Sequence, residues 1–257
     1  MTNAPPQLPE GCAHVHIEAV DGTNAEAMRR VLAGARAPLW ITADRQTAGK
    51  GRSGRTWTSR PGNLFASYVA AVNCPPAKAG QLSLVAGVAV HDAITRAGGA
   101  AGLRLKWPND ILIGPAKVGG ILIESTVRPG EAGAVAVIGI GLNLVSAPEN
   151  LGRAATFLAQ HGLELSPQGA LCFLAHTMKD WMTKWDDGAG FVEVREAWLE
   201  RAGAIGEPLT VHAGATPVSG RFAGLDDHGA LLLDSCDGRQ LSFSFGDVSL
   251  DAQGDGA

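Results

Sequence analysis

The residue types between Gln46 and Trp57 are those of an anion-binding loop. Three cations alternate there with three glycines: Lys50, Arg52 and Arg55 with Gly49, Gly51 and Gly54. Glycine lets a backbone approach a ligand closely, and arginine and lysine side chains hydrogen-bond phosphate and carboxylate oxygens. No Asp or Glu occurs between Arg45 and His91 to neutralise these charges. The segment therefore predicts a loop that binds a phosphate or a mixed acid anhydride, and the alternative is a solvated basic turn.

The glycine spacing also matches the dinucleotide fingerprint G-x-G-x-x-G. That motif follows a strand and opens a helix, with an acidic residue about twenty positions on that binds a ribose. The segment Thr56–Gly62 is a poor helix start because it contains Pro61 and Gly62, and no acidic residue follows at the required distance. The spacing therefore does not predict a dinucleotide fold here.

Three later segments carry further polar residues next to apolar runs. Lys106-Trp107-Pro108-Asn109-Asp110 follows the strand-like run 103–105, Lys117–Glu124 begins with a lysine before two glycines, and Gly139–Asn143 ends an apolar run. In this order and combination, together with Thr23-Asn24 and the loop Gln46–Trp57, the segments resemble the biotin protein ligase family. The resemblance extends from about His14 to Leu250. Within it, this chain resembles the biotin–[acetyl-CoA-carboxylase] ligases that lack an N-terminal DNA-binding domain.

The resemblance implies a two-step reaction. The carboxylate of biotin attacks the α-phosphate of ATP, which gives biotinyl-5′-AMP and pyrophosphate. A lysine of a biotin carboxyl carrier protein, or a similar biotin-accepting domain, then attacks the anhydride and releases AMP. Both reactants of the first step are anions, so the protein must position them and neutralise their charge. Mg²⁺ is implied by ATP, and we expect it to be bound by the phosphates with one or two carboxylates at most, because no His, Cys or carboxylate cluster in the sequence predicts a metal site.

The resemblance also assigns the site residues. Arg52 and Lys117 are expected to hold the carboxyl and phosphate oxygens, and Asp110 to orient the incoming amine, accept its proton or help to place Mg²⁺; a turn cap is the alternative for Asp110. Lys106, Asn109 and Asn143 are expected near the nucleotide. The residues expected to bind biotin or biotinyl-AMP are Gly22, Thr23, Asn24, Gln46, Gly49, Lys50, Gly51, Arg52, Arg55, Trp57, Lys117, Gly119 and Gly120.

Two of these positions depart from the family's usual residues. The family usually has Ser where this chain has Gly22, which removes one hydroxyl partner of the ureido ring, and Arg where it has Lys50. An ammonium supplies a charge without the bidentate geometry of a guanidinium. For Thr23 and Asn24 a purely structural role is also open, because Thr23 followed by Glu26 predicts a helix N-cap.

Composition excludes several other classes of protein. The net charge is −4 and the pI about 6.0, which does not favour a nucleic-acid-binding protein. The four cysteines have no C-x-x-C spacing, which favours a reducing, cytoplasmic compartment over a disulfide or zinc scaffold. No apolar run is long enough to span a membrane. We therefore expect no nucleic acid and no membrane as partners. The resemblance to the ligase family implies a homodimer through the central sheet.

The pattern of the chain predicts an α+β fold. Apolar strands alternate with helices up to about residue 202, and after Gly206 short strands separated by Gly- and Asp-rich turns follow. By resemblance, the first part is a class II synthetase-like domain with a mixed sheet, and the second is a small SH3-like β-barrel. The predicted division is a flexible tail at 1–13, a catalytic domain at 14–205 and the C-terminal domain at 206–257.

Three other functions are weighed against this one. A lipoate–protein ligase has the same catalytic fold, but the polar side chains of Thr23, Asn24 and Gln46 favour a ureido ring over a dithiolane. A ligand-responsive repressor would need a DNA-binding segment before His14, where we expect no room for one. A catalytically inactive binding module is disfavoured by the presence of both Arg52 and Lys117.

Overall fold

The computed structural model describes residues 7–75, 78–127, 134–149 and 154–250. Residues 1–6 of the predicted tail and 251–257 lie outside this part. Seven strands and four helices precede the C-terminal strands. The helices are α1 Thr23–Leu32, α2 Gln81–Ala97, α3 Pro167–Trp185 and α4 Phe191–Glu200. The strands are β1 Ala13–Val20, β2 Leu39–Gln46, β3 Leu64–Val72, β4 Leu103–Lys106, β5 Asp110–Ile113, β6 Ala116–Thr126, β7 Ala134–Leu142, β8 Pro208–His212, β9 Val218–Leu225, β10 Leu231–Ser235, β11 Gln240–Phe243 and β12 Asp247–Leu250.

The first seven strands form one mixed sheet in the order β1-β2-β3-β7-β6-β5-β4. Strand β1 pairs with β2 in parallel, and the other neighbours are antiparallel. Successive side chains of a strand face opposite sides of a sheet. Accordingly, Trp40 of β2 belongs to the large core that contains α2 and α3, whereas Ile41 packs with Ala27 and Val31 of α1. Helix α1 thus covers one face of the sheet, and α2 and α3 cover the other.

The last five strands form an antiparallel sheet in the order β11-β10-β9-β8-β12. Strands β11 and β12 are its edges, so in the described part of the chain this SH3-like sheet is open, without the closure that the predicted barrel would have. The predicted α+β fold class is confirmed. The domain boundary at residues 205 and 206 stays a prediction; β8 begins at Pro208.

Hydrogen bonds join strand β4 and the turn after it to the C-terminal part. The amide of Leu105 donates to the carbonyl of Arg201 over 2.7 Å, and Arg104 pairs with Glu207 over 2.7 Å. The indole of Trp107 donates to the carbonyl of Gly229 over 3.1 Å. These bonds place the C-terminal sheet beside the β4–β5 turn, where its edge strand β12 reaches the site described below.

Two predicted features of α1 differ in the structure. The N-cap of α1 is Gly22, not Thr23, and it makes no side-chain cap hydrogen bond. Glu26 does not form a capping box; it pairs with Arg29 and Arg30. In the C-terminal sheet, strand β12 was not predicted. Three tryptophans are buried in the core, at 7%, 1% and 2% exposure: Trp181, Trp185 and Trp198.

No helix of the described chain combines the length and the apolar character that crossing a bilayer requires.

Candidate active site

A cavity of about 550 Å³ lies on the α1 side of the central sheet. Its walls come from the start of α1, the loop after β2, the β4–β5 turn, β6, β7 and the edge strand β12. Most predicted site residues line it: Gly22, Thr23, Asn24, Gln46, Lys50, Gly51, Arg52, Arg55, Trp57, Lys106, Asn109, Asp110, Lys117 and Gly120. The sequence segments that resemble a ligase site are therefore brought together in space. Gly49, Gly119 and Asn143 are outside its lining.

Lys117 reaches the cavity because of a local irregularity in β6. Residues Ile111 and Leu112 of β5 pair with Gly119 and Lys117, so the register shifts by one residue between them. Such a bulge turns the side chain after it to the other face of the strand. Lys117 and Gly120 consequently share the cavity face, although they are three positions apart. The sequence alone does not indicate this shift.

Lys117 forms a buried ion-paired cluster with Asp110 and Lys106. Lys117 is 9% exposed and Asp110 7% exposed, and the ammonium of Lys117 donates to the Asp110 carboxylate. Lys106 approaches the other carboxylate oxygen to 3.0 Å. Burial opposes ionisation of Asp110, but the charges of Lys117 and Lys106 and the hydrogen bonds from both outweigh it and hold the pKa of Asp110 below its usual value. Asp110 is therefore a carboxylate that positions two cations at the cavity wall.

The basic loop is folded back on itself as a narrow turn. The amide of Trp57 donates to the carbonyl of Gly49 over 2.9 Å, and that of Gly51 to the carbonyl of Arg55 over 2.6 Å. A Cβ on Gly49 would lie 2.7 Å from the carbonyl oxygen of Trp57, so only glycine fits there without a shift. Gly49 thus shapes the loop from outside the cavity lining. The cations Lys50, Arg52 and Arg55 project from this turn into the lining.

The indole of Trp57 packs closely against two glycines of the sheet. A Cβ on Gly141 would collide with its indole, and one on Gly120 would come within 3.2 Å of it. The ammonium of Lys117 is 5.6 Å from the centroid of its ring. The indole nitrogen is buried and has no hydrogen-bond partner in the described structure. This part of the cavity thus has an aromatic wall beside a cation, and the indole nitrogen faces the glycines of the sheet.

The opposite end of the cavity is a connected group of polar side chains. Gln46 accepts from the amide of Thr23 over 2.9 Å and donates to Ser59 over 3.2 Å. The Ser67 hydroxyl lies 2.8 Å from that of Thr23 and 2.6 Å from the Asn24 amide oxygen. A ligand ring with both N–H donors and a carbonyl acceptor matches such side chains, since amides and hydroxyls can both donate and accept. Asn24 also donates to Glu124 over 2.7 Å, and sequence reasoning had singled out neither Ser67 nor Glu124 for this site.

Gly22 leaves open space beside this polar group. Its φ of −169° is extended backbone, which any residue adopts, so glycine is not needed for the chain path. The nearest atom to an added Cβ is the Gln46 side-chain oxygen at 3.9 Å, an ordinary contact distance. A larger side chain would therefore fit here.

Asn143 and Gly119 have structural positions just outside the cavity. Asn143 is 4% exposed, and its side chain donates to the carbonyl of Thr156 over 3.0 Å. A Cβ on Gly119 would lie 2.5 Å from the Leu142 side chain, so this glycine permits the close packing of β6 on β7. The expected roles of both residues in substrate binding stay predictions.

The edge strand β12 completes the cavity wall, and sequence reasoning missed it entirely. Arg52 donates to the carbonyl of Gly246 over 2.9 Å, and Arg55 to the carboxylate of Asp247 over 2.9 Å. Lys106 donates to the carbonyl of Val248 over 2.6 Å. Arg52 also donates to Asn109 over 3.2 Å, which ties the loop to the β4–β5 turn.

The cavity wall as a whole carries five cationic side chains: Lys50, Arg52, Arg55, Lys106 and Lys117. Among the described residues no group of three or more His, Cys, Asp or Glu side chains is arranged to hold a metal ion. The cavity brings Arg52 and Lys117 from two separate elements to one space, with polar groups at one end and an aromatic wall between. The cavity can bind an elongated organic acid. The polar side chains would hold the ligand's polar ring, and the cations would neutralise the ligand's negatively charged end.

Comparison with known proteins agrees with this arrangement. Residues 22–143 match the model of the Biotin/lipoate A/B protein ligase family, and residues 204–251 match that of the Biotin protein ligase C terminal domain. The chain is 39% identical over 228 residues to the biotin--[acetyl-CoA-carboxylase] ligase of Paracoccus denitrificans, covering 86% of this chain and 94% of that protein. It is 34% identical to the Mycobacterium tuberculosis protein of the same name, covering 88% of this chain and 84% of that one.

Solved structures show the same fold. The biotin protein ligase from Aquifex aeolicus in complex with biotin and ATP has a TM-score of 0.77 at 24% identity, covering 93% of this chain and 99% of that one. The Leishmania major biotin protein ligase in complex with biotinyl-5-AMP has a TM-score of 0.62 at 25% identity, covering 91% and 99%. On the sequence identity, the coverage and the matching segments together, the chain belongs to the biotin/lipoate A/B protein ligase family.

Proposed function

We propose that this chain is an ATP-dependent biotin–protein ligase, which forms biotinyl-5′-AMP and transfers the biotinyl group to a lysine of a carrier domain. The observation that carries the proposal is the convergence of Arg52 and Lys117 on one cavity whose other end is lined by the amides and hydroxyls around Gln46. Relatives of this chain are named as biotin ligases, and a structure with the same fold was solved with biotin and ATP.

In the first step a carboxylate oxygen of biotin forms a bond to the α-phosphorus of ATP, and the bond to pyrophosphate breaks. Lys117 and Arg52 lower the repulsion between the two anions, and each charged hydrogen bond contributes about 1.5–3 kcal/mol. The ring is held by Thr23, Asn24 and Gln46, so that the carboxylate points toward the cations.

In the second step the amine of a carrier lysine attacks the acyl carbon of the anhydride, and AMP leaves. The amine must lose a proton to a base. Asp110 is ionised and paired with Lys106 and Lys117, which lowers its basicity, so we assign it to the positioning of these two lysines and of the anhydride. In this proposal Lys106 and Asn109 line the nucleotide end of the cavity, and Arg55 orders the loop.

Magnesium enters this scheme as part of the substrate MgATP. The Asp110 carboxylate is engaged by two lysines, and the described residues offer no carboxylate cluster. An ion that keeps its phosphate ligands and several waters fits such a donor set.

The remaining partner assignments are also proposals. A biotin carboxyl carrier protein of an acetyl-CoA carboxylase is the expected acceptor, on the strength of the names of the relatives. Four free cysteines agree with a reducing compartment such as the cytoplasm. Strand β1 is an edge of the central sheet and offers backbone groups for a homodimer contact. We propose no nucleic-acid partner, in keeping with the pI of about 6.0.

Biotin-dependent exchange of radiolabelled pyrophosphate into ATP tests the proposal. We expect exchange with biotin and none above background with lipoate, because the polar end of the cavity matches a ureido ring and not a dithiolane. Exchange driven by lipoate at least as well as by biotin would refute the assignment.

A further inference from the structure

The start of β12 contacts cations from both sides of the cavity. Arg52 and Arg55 come from the basic loop, and Lys106 comes from the end of β4. Their acceptors are three consecutive residues: the carbonyls of Gly246 and Val248 and the carboxylate of Asp247. The C-terminal sheet is therefore directly bonded to the residues proposed to handle phosphate.

Asp247 is the one charged acceptor of this segment, and two arginines share it. Arg55 approaches its Oδ1 to 2.9 Å and Arg52 approaches the same oxygen to 3.4 Å. Its side chain is 43% exposed and that of Arg52 is 25% exposed, so the pair is partly shielded from water. Two neighbouring guanidinium groups repel each other, and a carboxylate between them lets both project from one short turn.

The backbone on either side supports the same arrangement. Gly246 has a φ of +137°, which favours glycine, and a Cβ there would lie 3.1 Å from the Ala213 side chain. This conformation aims its carbonyl at Arg52. Asp247 pairs with His212 of β8, so its position is set by the C-terminal sheet and not by the loop.

We propose that Asp247 is a positioning residue for adenylate formation, which holds Arg52, directly and through the loop-ordering Arg55, in the orientation that meets the nucleotide phosphates. The inference rests on the proposed ligase function. It gives the C-terminal sheet a part in the first chemical step, because loss of the carboxylate removes the charged partner that both guanidinium groups share and leaves Arg52 with its bonds to Asn109 and Gly246 alone. The defect then falls on ATP, whose phosphates Arg52 meets, and not on the biotin ring, whose polar partners lie at the other end of the cavity.

Pyrophosphate exchange with separate titrations of ATP and biotin tests the inference on the full chain. We expect Asp247→Ala to raise the KM for ATP about fivefold, and to change the KM for biotin less than about twofold. We expect Asp247→Glu to have a KM for ATP close to the wild-type value, since its carboxylate still reaches the exposed Arg55. Asp247→Asn keeps the shape without the charge and falls between wild type and Asp247→Ala. The control Asp234→Ala lies in β10 of the same sheet, is exposed, and leaves both values unchanged.

A double-mutant cycle separates positioning from a general loss of structure. If Asp247 acts through Arg55, the variant carrying both Asp247→Ala and Arg55→Ala has the same KM for ATP as Asp247→Ala alone. Three results would overturn the inference. They are a KM for ATP in the double variant that is the product of the two single effects, equal rises in the KM values for ATP and biotin, or a KM for ATP in Asp247→Glu as high as in Asp247→Ala. A wild-type chain without biotin-dependent exchange would instead refute the proposed function, and this inference with it.

Discussion

At the scale of single residues, three cations of the cavity, Lys106, Lys117 and Arg52, are already bonded to protein oxygens. Lys117 and Lys106 share the carboxylate of Asp110, and Arg52 donates to Asn109 and Gly246. A substrate anion therefore meets side chains whose positions are set, which lowers the cost of ordering them on binding.

Replacement of Arg52 by glycine tests its hold on the intermediate. We expect Arg52→Gly to release biotinyl-AMP, because the guanidinium that reaches the anhydride from the loop is lost, whereas Lys117 remains. The released anhydride would acylate lysines of bystander proteins such as serum albumin, detected by streptavidin blotting. Arg60→Gly, an exposed arginine of the same basic stretch, is the matched control. Labelling that stays confined to the carrier in Arg52→Gly would argue against the assigned role.

Gly22 gives a second prediction for a single residue. A serine fits at this extended position, with its Cβ 3.9 Å from the side-chain oxygen of Gln46, and its hydroxyl adds a partner for the ureido ring. We expect Gly22→Ser to lower the KM for biotin by about two- to tenfold, the value of one hydrogen bond, with the KM for ATP unchanged. Gly22→Ala has the same size without the hydroxyl and should not lower it. An equal gain in both variants would point to packing and not to hydrogen bonding.

At the scale of elements, the sequence predicted those whose pattern is local. Helix α2 and strands β6 and β7 follow from apolar spacing, and α3 begins at the Ser166-Pro167 signal, where the Ser166 side chain accepts from the amide of Gly169. The cavity loop and the Lys117 segment were also found, because their residue types are unusual. These signals need no knowledge of distant partners.

The elements that were missed depend on distant partners. Strand β12 is only four residues long, and it is a strand because Val248 and Ser249 pair with Val211 and Thr210 of β8. The bulge that turns Lys117 into the cavity likewise arises from pairing with β5. Asp247 consequently could not be connected with Arg52, nearly two hundred positions earlier in the chain, from the sequence alone.

Packing between the helices gives a prediction for acid stability. Asp92 of α2 accepts from Trp181 of α3 over 2.9 Å and from Arg201 after α4 over 2.8 Å. Burial opposes its ionisation, but hydrogen bonds from His91, Trp181 and Arg201 outweigh this and lower the pKa of Asp92 to about 2. A carboxyl group whose pKa is lower in the folded protein than in the unfolded chain stabilises the fold at pH values above the unfolded-state pKa. This stabilisation is lost as the pH falls through the folded-state pKa.

We therefore expect Asp92→Asn to lower the free energy of unfolding by about 1–2 kcal/mol at neutral pH, and the difference from wild type to shrink as the pH falls from about 4 toward 2. Urea unfolding followed by tryptophan fluorescence at several pH values measures this. Asp180→Asn removes an exposed carboxylate paired with Arg96 and serves as the control. A difference that stays constant down to the lowest pH would contradict the assignment.

At the scale of the whole molecule, the two sheets are built around one cavity. The central sheet supplies Lys117, Asp110 and the glycines under Trp57, and the C-terminal sheet supplies the acceptors that hold the loop. The C-terminal segment at Gly246 and Asp247 thereby contacts the loop of a domain that carries the family's matching motifs.

Intact mass spectrometry of a biotin carboxyl carrier domain, after incubation with the chain, biotin and MgATP, tests whether Lys117 serves biotin transfer. We expect one biotinyl group on the carrier with the wild-type chain and with Lys184→Ala, whose ammonium also lies over a tryptophan, 4.3 Å from the ring centroid of Trp181, but outside the cavity lining. For Lys117→Ala, at a temperature where circular dichroism shows it folded, we expect a rate lower by at least about a hundredfold. A Lys117→Ala chain that biotinylates the carrier at nearly the wild-type rate would contradict this role.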